Sequence, residues 1–261
     1  MPEGGRTPGE GTRPSAGNGR IGFVLESGWV RSSSHSMSAP SVKRRREDDR
    51  EKRRAQILRA ATELFARKGL ENVTFGDIAK RARLSRPLVY FYFPDQRAIF
   101  LEAVLMAHGK LQARFLEASA KGSNGITRIE NIGRAYVQFQ REDPSAFQLC
   151  ALYDANPVVE GETDPIAVQL GQSEVETQRL CSQAIAEGMA DGSIRPDLGH
   201  PAHVAVVLWA CVHGMAQLGA MRGPALKKML DLDGDGLVEE GIRLLRRSLV
   251  PGEVSSLRIQ D

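Results

Sequence analysis

Three stretches of this 261-residue chain carry residue types that could do chemistry. Residues 83–94 read RLSRPLVYFYFP, four consecutive aromatic-rich positions in a sequence with only 9 Phe, 4 Tyr and 2 Trp. A helix turns about 100° per residue, so consecutive side chains point in different directions and one core cannot take them all. At least one or two must face water or a partner. The second stretch, Asp231-Leu232-Asp233-Gly234-Asp235-Gly236, matches the first half of an EF-hand loop, where acidic side chains give oxygen ligands to calcium. The closing position of such a loop needs a bidentate Glu and is Ile242 here, so a loop or kink in a final helical hairpin is the expected reading. Third, His200 and His203 could share a helix face toward a metal. Without a third ligand nearby they are read as a helix cap and a surface histidine. No metal and no cofactor is expected. No Ser/His/Asp set, P-loop or GxGxxG stands in a supporting context, so catalysis is not expected either.

The elements that must position the aromatic stretch follow from periodicity. Ile57, Leu58, Ala61, Leu64 and Phe65 recur at helical spacing between Arg50 and Lys68, and Gly69 ends the helix. Thr74 followed by Asp77 is a capping-box-like start for a short helix over Gly76–Ala82. Ser85 then caps a second short helix with Pro87 in its first turn. Two short helices joined by a tight turn make a helix-turn-helix, with Ile78, Ala79, Leu84 and Val89 at its core positions. Its second helix would lay N-terminal residues against base edges in a major groove. Downstream, helices are expected at 95–119, 124–141, 144–154, 167–190, 200–221 and 225–248. The breaks are Gly122-Ser123, Asp143-Pro144, Asn156-Pro157, Gly192 to Pro196 and Gly223-Pro224. The fold class is all-α: a three-helix N-terminal unit on a larger C-terminal bundle.

Bulk properties narrow the field. Hydrophobic residues make up 41% and charged residues 26%, ordinary for a globular protein. A net charge of +3 means that an anionic partner must be met by a local patch. The 27 arginines outnumber the 8 lysines, which favours bidentate contacts with phosphate or carboxylate. Cys150, Cys181 and Cys211 are scattered, as suits packed thiols in a reducing compartment. No basic-then-apolar leader opens the chain. Residues 1–46 are expected to be a disordered Gly/Ser/Pro-rich and basic arm, within which Met37 is a plausible alternative start. The run KRRREDDREKRR, residues 43–54, is either a solvated charge run or a basic arm touching nucleic acid. Residues 198–221 carry no charged side chain and are nearly long enough to span a bilayer. Their histidines, glutamine and glycines favour a buried core or interface helix.

The string TFGDIAKRARLSRPLVYFYFPDQRAIF, preceded by RRAQILRAATELFARKGLENV, resembles the DNA-binding domain of the TetR family of bacterial regulators. The resemblance covers residues 54 to about 103, and AIAEGMADGSIRPDL and LWACVHGM look like helices of the family's ligand domain. It implies a cytoplasmic homodimer on a palindromic operator in double-stranded DNA, usually a repressor, that a small-molecule effector releases. Domain boundaries then fall at 47–95 for the DNA-binding unit, 96–250 for effector binding and dimerisation, and 251–261 for a tail. Carried over position by position, Arg86, Pro87, Leu88, Tyr90 and Phe91 face the groove, while Val89 and Phe93 face the core. Arg86 is the candidate guanine reader, through a fork to O6 and N7. Thr74 and Tyr92 look like phosphate anchors, and Arg54, Ser85, Gln96 and Arg97 complete the DNA-facing set. Pro87, Leu88 and Phe91 have a competing reading as residues packed on the neighbouring helix.

Two departures from the family pattern stand out. Arg83 occupies a turn position usually given to Gly, where a left-handed residue with a side chain costs about 1–2 kcal/mol, so a slightly different turn is expected. Gln96 replaces the lysine that usually opens the fourth helix, with Arg97 beside it. In the C-terminal domain Met106, Phe115, Tyr136, Phe139, Phe147 and Tyr153 are the expected cavity walls, or else plain core. Val204, Trp209 and Leu244 are expected across a two-fold axis. The rival functions are a helical binding module with a non-functional DNA-reading head, and a calcium-responsive protein using Asp231, Asp233 and Asp235.

Overall fold

A computed structural model of the chain describes residues 42–155 and 163–252. Helix α1, Val42–Lys68, begins well before the expected start, inside the segment read as a disordered arm. Its first turns, from Arg46 to Arg53, are exposed, and no core among the described residues holds them. Glu, Lys and Arg are good helix formers, and Asp49 pairs with Lys52 one turn on at 4.0 Å. The rest of the expected arm and the tail beyond Gly252 lie outside the described residues.

Gly69, at φ 77°, ends α1, its amide donating to the Phe65 carbonyl at 2.9 Å. Then come α2, Phe75–Ala82, and α3, Arg86–Tyr92. The three helices enclose Ile57, Ala61, Phe65, Ile78 and Val89, with Phe65 edge-on to Phe100 of α4, Gln96–Ala120. This core does not stop at residue 95. Leu149 and Tyr153 of α6, Pro144–Asp154, and Ala167 and Leu170 of α7, Pro165–Asp191, belong to the same cluster.

A second core belongs to the bundle. Helix α5, Gly125–Glu142, packs between α4 and α7, and α8, Pro201–Leu230, packs on α5, α7 and α9, Gly234–Leu249. Where α5 meets α7 the backbones nearly touch: a Cβ on Gly125 would lie 2.2 Å from Gly188 Cα. The Asp191 carboxylate and Ser193 hydroxyl accept the first amides of α5, those of Gly125 and Ile126, so the end of one helix caps the start of the other.

The Gly223-Pro224 break does not occur. Helix α8 runs through both residues. Proline removes one amide donor, and here it stands on an exposed side of the helix. The break comes instead at the acidic stretch: Asp231, at φ 53°, ends α8 in a left-handed conformation and Asp233 begins α9. Asp231 pairs with Lys227 at 2.7 Å and Asp235 with Arg141 at 2.8 Å. Two of the three side chains of the calcium-like triplet are thus engaged with cations of the protein itself. His200 caps α8, accepting the Ala202 amide through Nδ1, and His203 is exposed.

Candidate functional site

The α2–α3 turn decides where α3 points. Thr74 and Asp77 form a complete capping box: the Asp77 amide donates to Thr74 Oγ1 at 3.1 Å, and the Thr74 amide donates to the Asp77 carboxylate at 3.0 Å. The Thr74 hydroxyl also donates to that carboxylate at 2.7 Å, and this hydrogen bond is the main reason Asp77 titrates below the usual range. Both donors of the expected phosphate anchor Thr74 are therefore used inside the cap. The amides of Phe75 and Gly76, which come next, have no carbonyl partner within the helix.

Arg83 does not find a different turn. It sits at φ 55°, ψ 42°, its amide donating to Lys80 and that of Leu84 to Ala79, which is a Schellman cap built on arginine instead of glycine. Ser85 holds the N-cap position of α3 through its backbone, its carbonyl accepting from Leu88 and Val89, but its hydroxyl makes no capping bond.

Helix α3 buries Val89, and Phe93 follows it into the core. Arg86, Pro87, Tyr90 and Phe91 are exposed, Phe91 to 71% and Tyr90 to 49%. Leu88 and Tyr92 are half-buried. Tyr90 is not loose: its ring stacks on Phe75 of α2 at 4.2 Å between centroids and 8° between planes. Its hydroxyl lies 3.4 Å from the Arg86 guanidinium, whose carbon is 5.7 Å from the ring centre. Arg86 and Tyr90, one turn apart, form a braced outward pair. Phe91 lies edge-on to Tyr92.

Two expected DNA contacts are turned inward. Arg54 makes a fork to the Glu102 carboxylate of α4, with one arm at 2.8 Å, donates to the Tyr92 carbonyl at 3.0 Å, and lies over the Phe93 ring at 4.3 Å. It ties α1, α3 and α4 together. The Gln96 amide donates to the Leu70 carbonyl in the α1–α2 connection. Arg97 reaches Asp164, the cap of α7, at 3.7 Å.

The bundle contains a cavity of about 300 Å³. Of its expected walls, Phe115 and Tyr136 line it and the other four do not. Phe139 and Phe147 are packed solid in the bundle core, Tyr153 belongs to the DNA-binding core, and Met106 packs against that core. Its apolar walls include Leu111, Ile129, Leu208, Val212 and Leu249.

Polar groups gather within the same lining. His108 Nδ1 and Ser173 Oγ share a hydrogen bond of 2.9 Å, and burial lowers the imidazole pKa. Asp154 is exposed as a residue, yet the protein packed around its carboxyl desolvates it enough to push it up to about 6. Glu174 is raised by burial and then by the Asp154 charge. Burial also raises the Cys150 thiol, to about 12, and the Cys181 thiol, to about 11. Gln178 Oε1 is buried without a hydrogen-bond partner. Glu130 accepts from Arg246 at 3.2 Å. The sequence signal for this wall existed: Glu174, Thr177, Gln178 and Cys181 recur at helical spacing along α7, where a solid core would call for aliphatic side chains.

Of the expected dimer residues, Leu244 is exposed, Trp209 is 37% exposed while also lining the cavity beside His213, and Val204 is half-buried against the bundle's own core. Other apolar side chains of α8 are exposed as well, among them Val206, Val207, Leu218 and Met221. The helix is long and apolar enough to cross a membrane by length and composition, but Ala205, Leu208, Val212 and Ala216 bury one stripe of it in the bundle.

Residues 57–103 match the family described as bacterial regulatory proteins, tetR family, and residues 129–245 match the tetracyclin repressor-like C-terminal domain, together more than half of the chain. The chain is similar to nucleoid occlusion factor SlmA of Marinomonas sp. (strain MWYL1), 28% identical over 149 residues, which cover 56% of this chain and 73% of that one. With several other curated regulators the match spans about a quarter to a half of their length. Among solved structures, the ketosteroid transcriptional regulator KstR2 of Mycobacterium tuberculosis superposes with a TM-score of 0.62 at 17% identity, over 77% of this chain and 96% of that one. AibR, in complex with isovaleryl coenzyme A and operator DNA, gives a TM-score of 0.61 at 14% identity, over 74% and 97%.

Proposed function

The chain belongs to the TetR family of transcriptional regulators, and on that premise we propose that it is a dimeric repressor whose operator is a palindrome and whose release is triggered by a small molecule. The observation that carries the DNA half is the outward row of Arg86, Pro87, Tyr90 and Phe91 on a helix whose inner side is fixed by Val89. A base edge or thymine methyl can lie against the aromatic faces while Arg86 forks to a guanine. The Phe75 and Gly76 amides at the start of α2 suit a phosphate. With Arg54 turned inward, it acts on DNA through the position of α3.

The dimer is supported by the exposed apolar side of α8, together with Leu244 of α9. A second copy related by a two-fold axis would cover it and space the two reading helices by about one turn of DNA, roughly 34–36 Å. The effector half is supported by the cavity, and AibR shows that a protein of this fold holds a small molecule together with operator DNA. Helix α6 connects the two: Leu149 and Tyr153 enter the DNA-binding core while Phe147 and Cys150 enter the bundle core. A ligand that shifts α6 therefore disturbs the packing under α1 and α4.

The test is selection of bound fragments from random duplex DNA, repeated with Arg86→Ala and Tyr90→Ala. The expected result is a palindrome enriched by the wild type and relaxed in both variants. Salt-sensitive binding with no enriched sequence would leave only attraction to phosphate and defeat the proposal.

A further inference from the structure

We propose that the cavity takes an amphiphilic cation, an apolar body bearing a protonated amine, with Asp154 and Glu174 as its counter-ions. The inference rests on reading the cavity as the effector site.

The charges of the lining do not balance. Helix α5 contributes Glu130, α6 Asp154 and α7 Glu174, against one guanidinium, that of Arg246 from α9. Arg246 is already committed to Glu130 at 3.2 Å. From α4 comes His108, which is held to Ser173 and whose burial favours the neutral ring. Helix α8 adds Ala205, Leu208, Trp209 and Val212 and no charge. Among the described residues, Asp154 and Glu174 have neither an ion pair nor a hydrogen bond, although the charge of one raises the pKa of the other. Asp154 is exposed and Glu174 half-buried, so water relieves part of their cost, and a cation that displaces that water pairs with both.

The lining also selects by donor count. An ammonium has three donors and no acceptor, a match in kind for two carboxylates. An anion would face both carboxylates, and a wholly apolar molecule would leave both unpaired. Phe115, Tyr136 and Trp209 add aromatic faces to the lining, which also attract a cation. The aliphatic walls fit the ligand's apolar body, and about 300 Å³ suits a small one.

The experiment uses the full chain and a matched set of probes below their micelle-forming concentrations: decylamine, decanol and decanoate. Affinities are measured by titration calorimetry at pH 7.5 for the wild type and for the double variant Asp154→Asn, Glu174→Gln. The expected order is decylamine tightest, at least about tenfold over decanol, as one charge-assisted hydrogen bond would give, and decanoate weakest. The double variant should lose the preference for the amine while still binding decanol, which shows that its cavity is intact. Decanoate binding tightest, or an amine preference unchanged in the double variant, would overturn the proposal. Operator release is followed separately with each probe. Amine preference without release supports the ligand class and removes the effector reading; release by decanoate alone overturns the ligand class and keeps the effector reading.

Discussion

Around α3 the polar side chains are spent on the protein itself: Arg54 on Glu102 and Tyr92, Gln96 on Leu70, Thr74 on Asp77. What faces outward is largely aromatic and apolar, with Arg86 at its edge. Around the cavity the arrangement is reversed. The walls are largely aliphatic, and among the described residues the side chains of Asp154, Glu174 and Gln178 have no partner. The first region is prepared before its partner arrives, because its reading side chains rest on satisfied supports. The second leaves carboxylates without a cation. In the switch proposed above both sites must differ in affinity between two states, the reader through the placement of α3 and the sensor through what it binds.

Arg54→Met tests the first half of this contrast and should have the largest effect. Losing the tie between α1, α3 and α4 is expected to weaken operator binding by about tenfold, or ~1.4 kcal/mol. The slope of log affinity against log salt should stay as in the wild type. A slope reduced by about one would mean that Arg54 meets a phosphate after all.

Asp154→Asn tests the second half. In the folded chain this carboxyl titrates at about 6, above its ordinary value of 3.8. The folded state therefore keeps the proton longer, and the resulting stability is complete below the unfolded value and lost as pH rises through about 6. Asparagine does not titrate. The variant should match the wild type near pH 4 and melt higher at pH 7.5, by roughly 1 kcal/mol once partial solvent access is allowed for. Thermal melts across that range check it, and equal melting at pH 7.5 would show that the carboxylate is no burden.

Arg83→Gly is the mildest change and concerns the turn beneath the reader. Glycine removes the left-handed strain but costs more chain entropy on folding. The expected net gain is below about 1 kcal/mol, read from denaturant midpoints, with DNA selectivity unchanged. A loss of selectivity would assign the Arg83 side chain to the interface.

Much of the first region was legible because its signals are local. Thr74 with Asp77, Pro87 in a first turn, and four aromatics in a helix too short to bury them all sit within twenty residues of one another. The inward turn of Arg54 was not legible, since Glu102 lies 48 residues away and a resemblance reports position, not direction. The cavity was harder still. Of the aromatic residues expected at its walls, Phe115 and Tyr136 line it while Phe139 and Phe147 close the core, and a void is defined by side chains that fail to meet. The expected break at Asn156-Pro157 lies outside the described residues; among those described, breaks followed Gly and Pro rules except at Gly223-Pro224, where the helix continues and Asp231 ends it. The early start of α1 shows the opposite error: a charged run without a hydrophobic face can be helical from propensity and charge pairing alone.

The sharing of α6 between two cores also limits how the molecule can be taken apart. Leu149, Tyr153, Ala167 and Leu170 are missing from any fragment that ends after α4, and each belongs to the cluster that surrounds Ile57 and Phe65. Such a fragment would expose the underside of its own DNA-reading unit. The head is therefore not an interchangeable part: grafted onto another bundle, it would need that bundle to present the same four side chains, and variation in α6 and α7 must answer to the DNA end of the protein as well as to the bundle.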